Sequence, residues 1–182
     1  MTAISDQELI HQFKQTQDKE SAFKELIRRY QERLYWHIRK IVISHDDADD
    51  VLQNTFIKIW HGLEKFREDS QLFTWLYRIA TNESITFLNK KKKSFSLPIE
   101  DVQTYLENNL ESDVYYSGDE IQKKLQKAII TLPEKQRIVF NMKYFDEMKY
   151  EDMAEILETS TGALKASFHH AVKKIESFLK AD

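Results

Sequence analysis

Glycine and proline are scarce in this chain, which contains three glycines and two prolines in 182 residues. These residues form most tight turns of β-sheet proteins, so a fold of many short strands lacks the turn positions it needs. Leucine, isoleucine, lysine, glutamate and glutamine are plentiful instead, and helix formers dominate. Because 41% of the residues are hydrophobic and 31% are charged, the chain can fill a core and keep a solvated surface. The sequence therefore predicts an all-α fold.

Three stretches of the first half place apolar residues at steps of three and four, which is the spacing of one buried helix face. The first stripe contains Phe23, Leu26, Ile27, Tyr30, Leu34, Ile38 and Ile41. The second follows Asp46 or Asp47, either of which is able to cap a helix, and contains Ala48, Val51, Leu52, Thr55, Phe56 and Ile59. The third begins near Ser70 and contains Leu72, Trp75, Leu76, Ile79 and Ala80. They predict a helical bundle that ends at four consecutive lysines, 90–93.

Charge is distributed unevenly along the chain. Residues 94–119 carry six acidic side chains and no lysine or arginine, whereas residues 1–93 and 120–182 have net charges of +2 and +1. The acidic segment also holds Pro98, Gly118 and several serines and asparagines, with weak apolar periodicity. We predict two small helical domains, 1–93 and 120–182, joined by an acidic linker at 94–119. The linker is either a flexible tether that repels DNA or a segment that folds against a partner protein.

The end of the chain has the spacing of a helix-turn-helix. The connection Thr159-Ser160-Thr161-Gly162 follows a short apolar helix and precedes a long one. The N-terminal half of the second helix of such a motif enters the major groove, so the candidate DNA contacts are Ser160, Thr161, Ala163, Lys165, Ala166, His169, His170 and Lys173. A helical hairpin with an ordinary solvated face fits the same pattern, and the motif alone leaves both interpretations open.

The segment KFREDSQLFTWLYRIATN combines four aromatic residues with two arginines. Aromatic rings stack on unpaired bases while basic side chains hold phosphates, so a protein that opens duplex DNA needs both. Trp75 shares its stripe with Leu72 and Leu76, which predicts a core position. The candidates for contact with a separated strand are Phe66 in the polar loop, Phe73, Tyr77 and Thr81 on a flanking face, and the basic residues Arg67, Arg78, Lys90 and Lys91.

The helix before this segment has a second, outward face. Asp50, Gln53, Asn54, Ile57 and Trp60 lie off its core stripe, so an acidic end, two amides and two large apolar residues share one surface. A face that is only solvated rarely exposes isoleucine and tryptophan together. This pattern predicts a docking surface for the helices of another protein.

Taken together, these segments resemble the sigma-70 family of RNA polymerase sigma factors, and within it the small extracytoplasmic-function (ECF) factors that keep only regions two and four. DDADDVLQNTFIKIW is similar to the polymerase-binding helix and FREDSQLFTWLYRIATN to the promoter-melting segment. LPEKQRIVFNMKYFDEMKYEDMAEILE with TSTGALKASFHHAVKKI is similar to region four. The resemblance covers nearly everything except the linker. It implies an alternative sigma factor that binds core RNA polymerase and directs promoter-specific initiation, including promoter melting.

The resemblance also implies roles for residues. The contact with the clamp helices of the largest polymerase subunit would involve Asp49, Asp50, Gln53, Asn54, Phe56, Ile57 and Trp60. A pocket for a base flipped from the minus-ten element would be shaped by Phe66, the loop of Arg67, Glu68, Asp69 and Ser70, and Asn82. The second domain would read the minus-thirty-five element and meet the polymerase flap. An anti-sigma protein is implied as a further partner.

Region four departs from the family pattern at several positions. Glu158 stands where the family has a turn glycine, and Ser167, His170 and Val172 stand where basic residues are common. Few phosphate contacts are then available, and the second domain is close to neutral. We therefore expect the isolated protein to bind duplex DNA poorly, with tethering to polymerase supplying the missing affinity through effective concentration.

Two other functions fit parts of the sequence. A free-standing helix-turn-helix regulator is the main alternative, but it needs no docking face. A helical enzyme would use His61 or the pair His169 and His170, yet adjacent helical residues point about 100° apart and share a metal poorly. Without a glycine-rich phosphate loop or HExxH motif, the sequence predicts no enzyme, metal or cofactor. The absence of cysteine and of a long apolar run predicts a cytoplasmic protein without membrane insertion.

Overall fold

The computed structural model describes residues 4–15, 18–94 and 99–181. This part of the chain contains helices and loops but no strand, which confirms the predicted fold class. The helices are α1 (Asp6–Gln15), α2 (Lys19–Val42), α3 (His45–Leu63), α4 (Leu72–Ser94), α5 (Ile99–Glu111), α6 (Glu120–Ile130), α7 (Glu134–Tyr144), α8 (Tyr150–Leu157) and α9 (Thr161–Lys180). Residues 1–3 and 182 at the predicted domain ends, and 95–98 in the predicted linker, lie outside the described residues.

The helices α1 to α4 form the first bundle, with α2 at its centre. The predicted stripe of α2 buries Leu26, Leu34 and Ile38 completely. The first turn of α3 is capped by Ser44 rather than by Asp46 or Asp47, because the Ser44 hydroxyl accepts a hydrogen bond from the Asp47 amide at 3.3 Å. Ser44 is extended, at φ −69° and ψ 137°, as a capping residue requires. Asp47 is thereby freed for a different, buried contact.

Helix α1 was not predicted from the sequence. Its buried residues are Leu9, Ile10 and Phe13, and the Phe13 ring meets the ring of Trp60 edge-on at 5.2 Å. Ser5 begins this helix by accepting a hydrogen bond from the Glu8 amide at 3.1 Å. The short apolar spacing is the signal that would have identified α1, which closes one side of the bundle next to the polar loop after α3.

The predicted linker contains helix α5, which packs on the rest of the chain. Leu106 and Leu110 are completely buried, and Tyr116 is 4% exposed. The Tyr105 hydroxyl donates a hydrogen bond to the Asp47 carboxylate, and Asp113 pairs with the buried Arg39. The described part of the segment, 99–119, is therefore not an open tether, because it folds against its own chain.

We expect Leu106→Ala to lower the free energy of unfolding by about 2–4 kcal/mol, because it removes a fully buried leucine side chain and leaves a cavity. It should also make α5 sensitive to protease. Chemical denaturation and limited proteolysis measure the two effects. Gln103→Ala, at an exposed position of the same helix, is the matched control. If both variants resist protease and unfold alike, α5 is not packed as described.

The second bundle comprises α6 to α9. Its helix-turn-helix is formed by α8 and α9, and the turn places Glu158 in the left-handed region at φ 51° and ψ 45°. This is the position where glycine was expected, so the turn closes with a strained glutamate instead. Ser160 then caps α9, its hydroxyl accepting a hydrogen bond from the Ala163 amide at 3.2 Å.

The two bundles pack against each other. α2 contacts α7, and α4 contacts α8. One continuous core joins first-bundle residues such as Leu34 and Leu76 to second-bundle residues such as Ile138 and Met153. No helix among the described residues combines the length and the apolar character needed to cross a membrane. In this arrangement the second bundle covers one side of α4, the helix that carries several of the predicted DNA contacts.

Candidate functional site

The outward side of α3 is exposed as predicted. Asp50, Gln53 and Asn54 face solvent, and Ile57 leaves 54% of its surface exposed among them. Asp49 is half-buried, with a carboxylate oxygen 3.4 Å from His45 Nε2. We call the surface formed by Asp49, Asp50, Gln53, Asn54 and Ile57 the α3 face. An exposed isoleucine ringed by carboxylates and amides suits a partner helix that offers an apolar contact and basic side chains.

Trp60 and Phe56 lie at the edge of this face, not on it. The Trp60 ring meets the ring of Phe23 at 5.0 Å, and Phe56 meets Phe23 at 6.3 Å, so both are half-buried against α2. The prediction that Trp60 points outward beside Ile57 is therefore wrong in part. Helix α1, which was not predicted, supplies Phe13 as part of the surface that Trp60 covers.

Phe66 is not a free ring in the polar loop. It is 6% exposed, and its ring lies 4.8 Å from that of Trp75 at a shallow angle. Its carbonyl accepts a hydrogen bond of 2.6 Å from Lys14 of α1, which ties the loop to α1. The expectation of an accessible Phe66 is thus corrected: its edge helps to line a cavity, but its face is covered by Trp75, which is itself half-buried.

A cavity of about 310 Å³ lies between α1 and the loop after α3, and we call it the loop cavity. Glu68 turns the backbone here at a positive φ of 62°, which bends the loop around the opening. Arg67 and Asp69 pair at 3.0 Å on its solvent side. The cavity is lined by Asp6, Gln7 and Ile10 of α1, by Phe66, Glu68, Ser70 and Gln71 of the loop, and by Leu72 and Phe73 of α4.

The contribution of α1 to the loop cavity was missed from the sequence. Asp6 accepts hydrogen bonds from Arg29 at 2.6 Å and from the Tyr30 hydroxyl at 2.5 Å, so its carboxylate is already neutralised by α2. Burial and the bond to Asp6 raise the pKa of Tyr30 well above its ordinary value. Gln7 is exposed at the rim and presents its amide to solvent. The rim therefore offers an amide that remains available for hydrogen bonding.

Tyr77 and Thr81 are buried, contrary to the prediction of an accessible flanking face. Tyr77 is 3% exposed and Thr81 is 1% exposed, because α2 and the second bundle cover this side of α4. Burial, and next the nearby charge of Asp146, raise the pKa of Tyr77 to about 12. Phe73 alone of this group remains half-exposed, with the guanidinium of Arg33 over its ring at 5.3 Å.

The basic candidates of α4 lie in three different settings. Arg78 contacts the second bundle, donating a hydrogen bond of 2.6 Å to the Glu155 carbonyl. Lys90 is exposed, whereas Lys91 lies over the ring of Tyr105 at 5.5 Å. Asn82 is exposed, but it borders the gap between the two bundles. Only part of the predicted strand-binding set therefore faces open solvent in this structure.

The outward side of α9 is formed by the predicted residues. Lys165, Ala166, His169, His170 and Lys173 are exposed, as are Ser160 and Ala163, while Thr161 is half-buried. The buried side holds Leu164, Ala171 and Ile175. We call the exposed side the α9 face. Among the described residues, no group of three His, Asp or Glu side chains is placed to hold a metal ion.

Two separate parts of the chain match known protein families. The family model of Sigma-70 region 2 matches residues 26–94, and the family model of Sigma-70, region 4 matches residues 122–175. The chain belongs to the sigma-70 family. In this sigma factor, the region 2 match contains the α3 face and the loop after α3. The region 4 match contains the helix-turn-helix.

Several curated relatives resemble this sigma factor over nearly its whole length. The ECF RNA polymerase sigma-E factor of Haemophilus influenzae is 29% identical, with 96% of this chain and 95% of the relative covered. The RNA polymerase sigma-H factor of Pseudomonas aeruginosa is also 29% identical, over 99% and 96%. The ECF RNA polymerase sigma factor SigW of Bacillus subtilis is 28% identical, over 88% and 90%. The protein is an alternative sigma factor of the ECF type that directs transcription initiation with RNA polymerase.

Two solved structures share the fold at low sequence identity. CnrH, solved in complex with the cytosolic domain of CnrY, superposes with a TM-score of 0.71 at 22% identity, covering 97% of this chain and 98% of CnrH. The sigma factor RpoE of Bartonella quintana, solved in complex with the anti-sigma factor NepR, gives a TM-score of 0.66 at 22% identity, covering 88% and 98%. The two-bundle architecture of this sigma factor is thus a known one.

Proposed function

We propose that three surfaces of this sigma factor divide the work of initiation. The α3 face binds the clamp helices of the largest polymerase subunit, with Phe56 and Trp60 supporting it from behind. The loop cavity and the exposed side of α4 hold the melted minus-ten strand. The α9 face reads the minus-thirty-five element. In this proposal residues 1–93 form the first functional domain, 94–119 connect it to the second, and 120–182 form the second.

The observation that carries the proposal is the exposure of Ile57 at 54% in the middle of an acidic and amide surface. A large apolar side chain that stays exposed while the rest of α3 packs well suits the buried centre of a protein interface. Such a surface has no use in a protein that binds only DNA. It therefore favours a polymerase-bound factor over a free-standing helix-turn-helix regulator.

The loop cavity supports the proposal for the minus-ten element. A flipped base is held by stacking against apolar or aromatic side chains and by hydrogen bonds to its edge. The cavity offers Phe73, Leu72 and Ile10 as apolar walls, and Gln7, Ser70 and Gln71 as hydrogen-bonding groups. Arg67 and Arg33 lie nearby to attract the phosphates of the strand. We propose that Phe66 acts here as a support for the cavity rather than as a stacking platform.

We further propose that an anti-sigma protein is a partner of this chain. The RpoE structure compared above contains an anti-sigma factor, and the CnrH structure contains the cytosolic domain of CnrY. We also propose that the protein acts in the cytoplasm, where polymerase is found, and that it has no catalytic activity of its own. The flap of polymerase is the proposed second contact, made by the second domain.

Transcription in vitro with purified core polymerase over genomic DNA tests the proposal. We expect discrete start sites that share a pair of upstream elements and that depend on the sigma factor. The same reactions without the sigma factor are the control. If a competent core polymerase starts no promoter-specific transcript with this protein, the proposed function is wrong, and a pull-down of core polymerase then tells whether docking or promoter reading has failed.

A further inference from the structure

The loop between α7 and α8 places Asp146 against the first bundle. Its carboxylate lies 2.5 Å from Lys40 Nζ and 3.2 Å from His37 Nδ1, both on α2. These side chains are well shielded from water, with 12% of Asp146, 15% of Lys40 and 1% of His37 exposed. Asn141 of α7 adds a hydrogen bond of 3.3 Å to the Lys40 carbonyl. A charged cluster thus joins the two bundles.

His37 uses both of its ring nitrogens in this cluster. The Thr81 hydroxyl donates its proton to the Tyr77 carbonyl at 2.7 Å, so it can only accept from His37 Nε2, which lies 2.8 Å away. The other ring nitrogen faces the Asp146 carboxylate, which also only accepts. His37 therefore links Asp146 of the second bundle to Thr81 of α4.

Lys40 and His37 favour the ionised form of Asp146. Burial alone would raise its pKa, but the hydrogen bond and charge of His37, together with the charge of Lys40, outweigh burial and hold the pKa below its ordinary value. Tyr77 of α4 faces the same carboxylate. Such a shielded cluster gives little net stability when intact, because desolvation offsets attraction, but loss of one partner leaves the others unpaired. It is therefore suited to a contact that forms and breaks.

The closed arrangement conflicts with the proposed contacts to DNA. Arg78 and Asn82 of the proposed minus-ten surface line one cavity of about 470 Å³ together with Ala163 and Ser167 of α9. The two promoter elements are named for positions about 25 base pairs apart, which is about 85 Å at 3.4 Å per base pair. Surfaces that line the same small cavity cannot contact both elements at once. The bundles must separate before both elements are bound.

We propose that Asp146, His37 and Lys40 form an interdomain latch that holds this sigma factor closed and covers the Arg78 side of α4 until polymerase or DNA draws the bundles apart. That the latch holds the two bundles together does not depend on the proposed function. That the closed form is unable to bind the DNA strand rests on the proposed function. Arg78 is held in the closed form by its hydrogen bond to the Glu155 carbonyl, with Glu158 4.0 Å away, and is released only on opening. In the closed form, the second bundle thus blocks the binding of the minus-ten strand to this side of α4.

Spin-label distance measurements on the full chain test the latch directly. The chain has no cysteine, so Lys65→Cys and Glu176→Cys give one label in each bundle at exposed positions. Asp146→Asn and Lys40→Gln remove the charge from either side of the latch. Glu147→Gln removes the same charge as Asp146→Asn at the neighbouring exposed residue and is the matched control. Circular dichroism verifies that each variant keeps its helices and melts cooperatively.

We expect one narrow distance distribution for the unmodified latch and for Glu147→Gln, and a broader, longer one for Asp146→Asn and Lys40→Gln. Affinity for a single strand covering the minus-ten region of a mapped promoter should rise roughly tenfold or more in the two latch variants, since apparent affinity scales with the open fraction.

Unchanged distances in both variants would overturn the latch. Longer distances without any gain in strand affinity, when the parent protein binds the strand, would overturn the self-inhibition. Longer distances with no strand binding by any variant would support the latch and count against the proposed function.

Discussion

Ile57→Glu is expected to weaken binding of this sigma factor to core RNA polymerase by roughly 30- to 900-fold, the equivalent of about 2–4 kcal/mol for a central interface residue. The reason is that Ile57 is the large apolar side chain at the middle of the α3 face, exposed at 54%. A carboxylate placed there must be desolvated on docking, and it adds to the negative charge of Asp49 and Asp50. Because Ile57 is exposed in the free protein, the fold should tolerate the change.

The matched control is Ile121→Glu, which makes the same substitution at another exposed isoleucine. Ile121 is 83% exposed in the first turn of α6, where a negative charge suits the helix terminus. Fluorescence titration of core polymerase with each labelled variant measures the affinity. Ile57→Glu should lose transcription in proportion to binding, whereas Ile121→Glu should behave like the parent. Equal affinities of the two variants would contradict the role of the α3 face.

The sequence predicted helices with strong apolar stripes well. The stripes of α2, α3 and α4 are long enough for their buried faces to be determined by spacing alone, and Leu34, Ile59 and Leu76 are buried as that spacing requires. The helix-turn-helix followed from the same periodicity and from turn residues. Helix α1 was missed because its stripe consists of only Leu9, Ile10 and Phe13.

What the sequence did not predict depends on contacts between distant parts of the chain. Phe66, Tyr77 and Thr81 were assigned to accessible surface, because nothing local shows that Trp75 covers the first or that α2 and the second bundle cover the others. The sequence left two interpretations of the acidic linker open for the same reason. Its negative charge is matched at a distance, where Lys123 and Lys127 pair with Glu111 and hold the pKa of that carboxyl near 2.

The latch residues are a further example. Asp146 lies in a polar stretch between α7 and α8, and nothing in its sequence neighbourhood distinguishes it from Glu147. The two residues differ only in how the bundles pack around them. Asp146 is shielded from water and contacts His37 and Lys40, whereas Glu147 faces solvent. Local periodicity determines which side of a helix is buried. It does not determine which acidic residue meets a cation a hundred residues away.

Lys165→Glu is expected to reduce transcription from promoters with a minus-thirty-five element by roughly 5- to 160-fold, the equivalent of about 1–3 kcal/mol for a contact to bases or phosphates. Lys165 lies in the N-terminal half of α9, exposed on the α9 face, where a helix of this motif enters the major groove. Reversing its charge places a carboxylate against the DNA. Polymerase binding should stay unchanged, because the α3 face is untouched, and this separates the effect from that of Ile57→Glu.

Lys174→Glu is the control for charge reversal on the same helix. Lys174 is also exposed, but it lies in the C-terminal half of α9 and bonds to Gln136 at 3.0 Å. Start-site mapping with reconstituted holoenzyme, at two salt concentrations, measures both variants. The isolated chain should bind duplex DNA poorly with either residue, because the second domain is nearly neutral and polymerase supplies the effective concentration. If Lys165→Glu transcribes as well as Lys174→Glu, promoter reading must lie on another surface, since a phosphate or base contact at Lys165 does not survive a reversal of its charge.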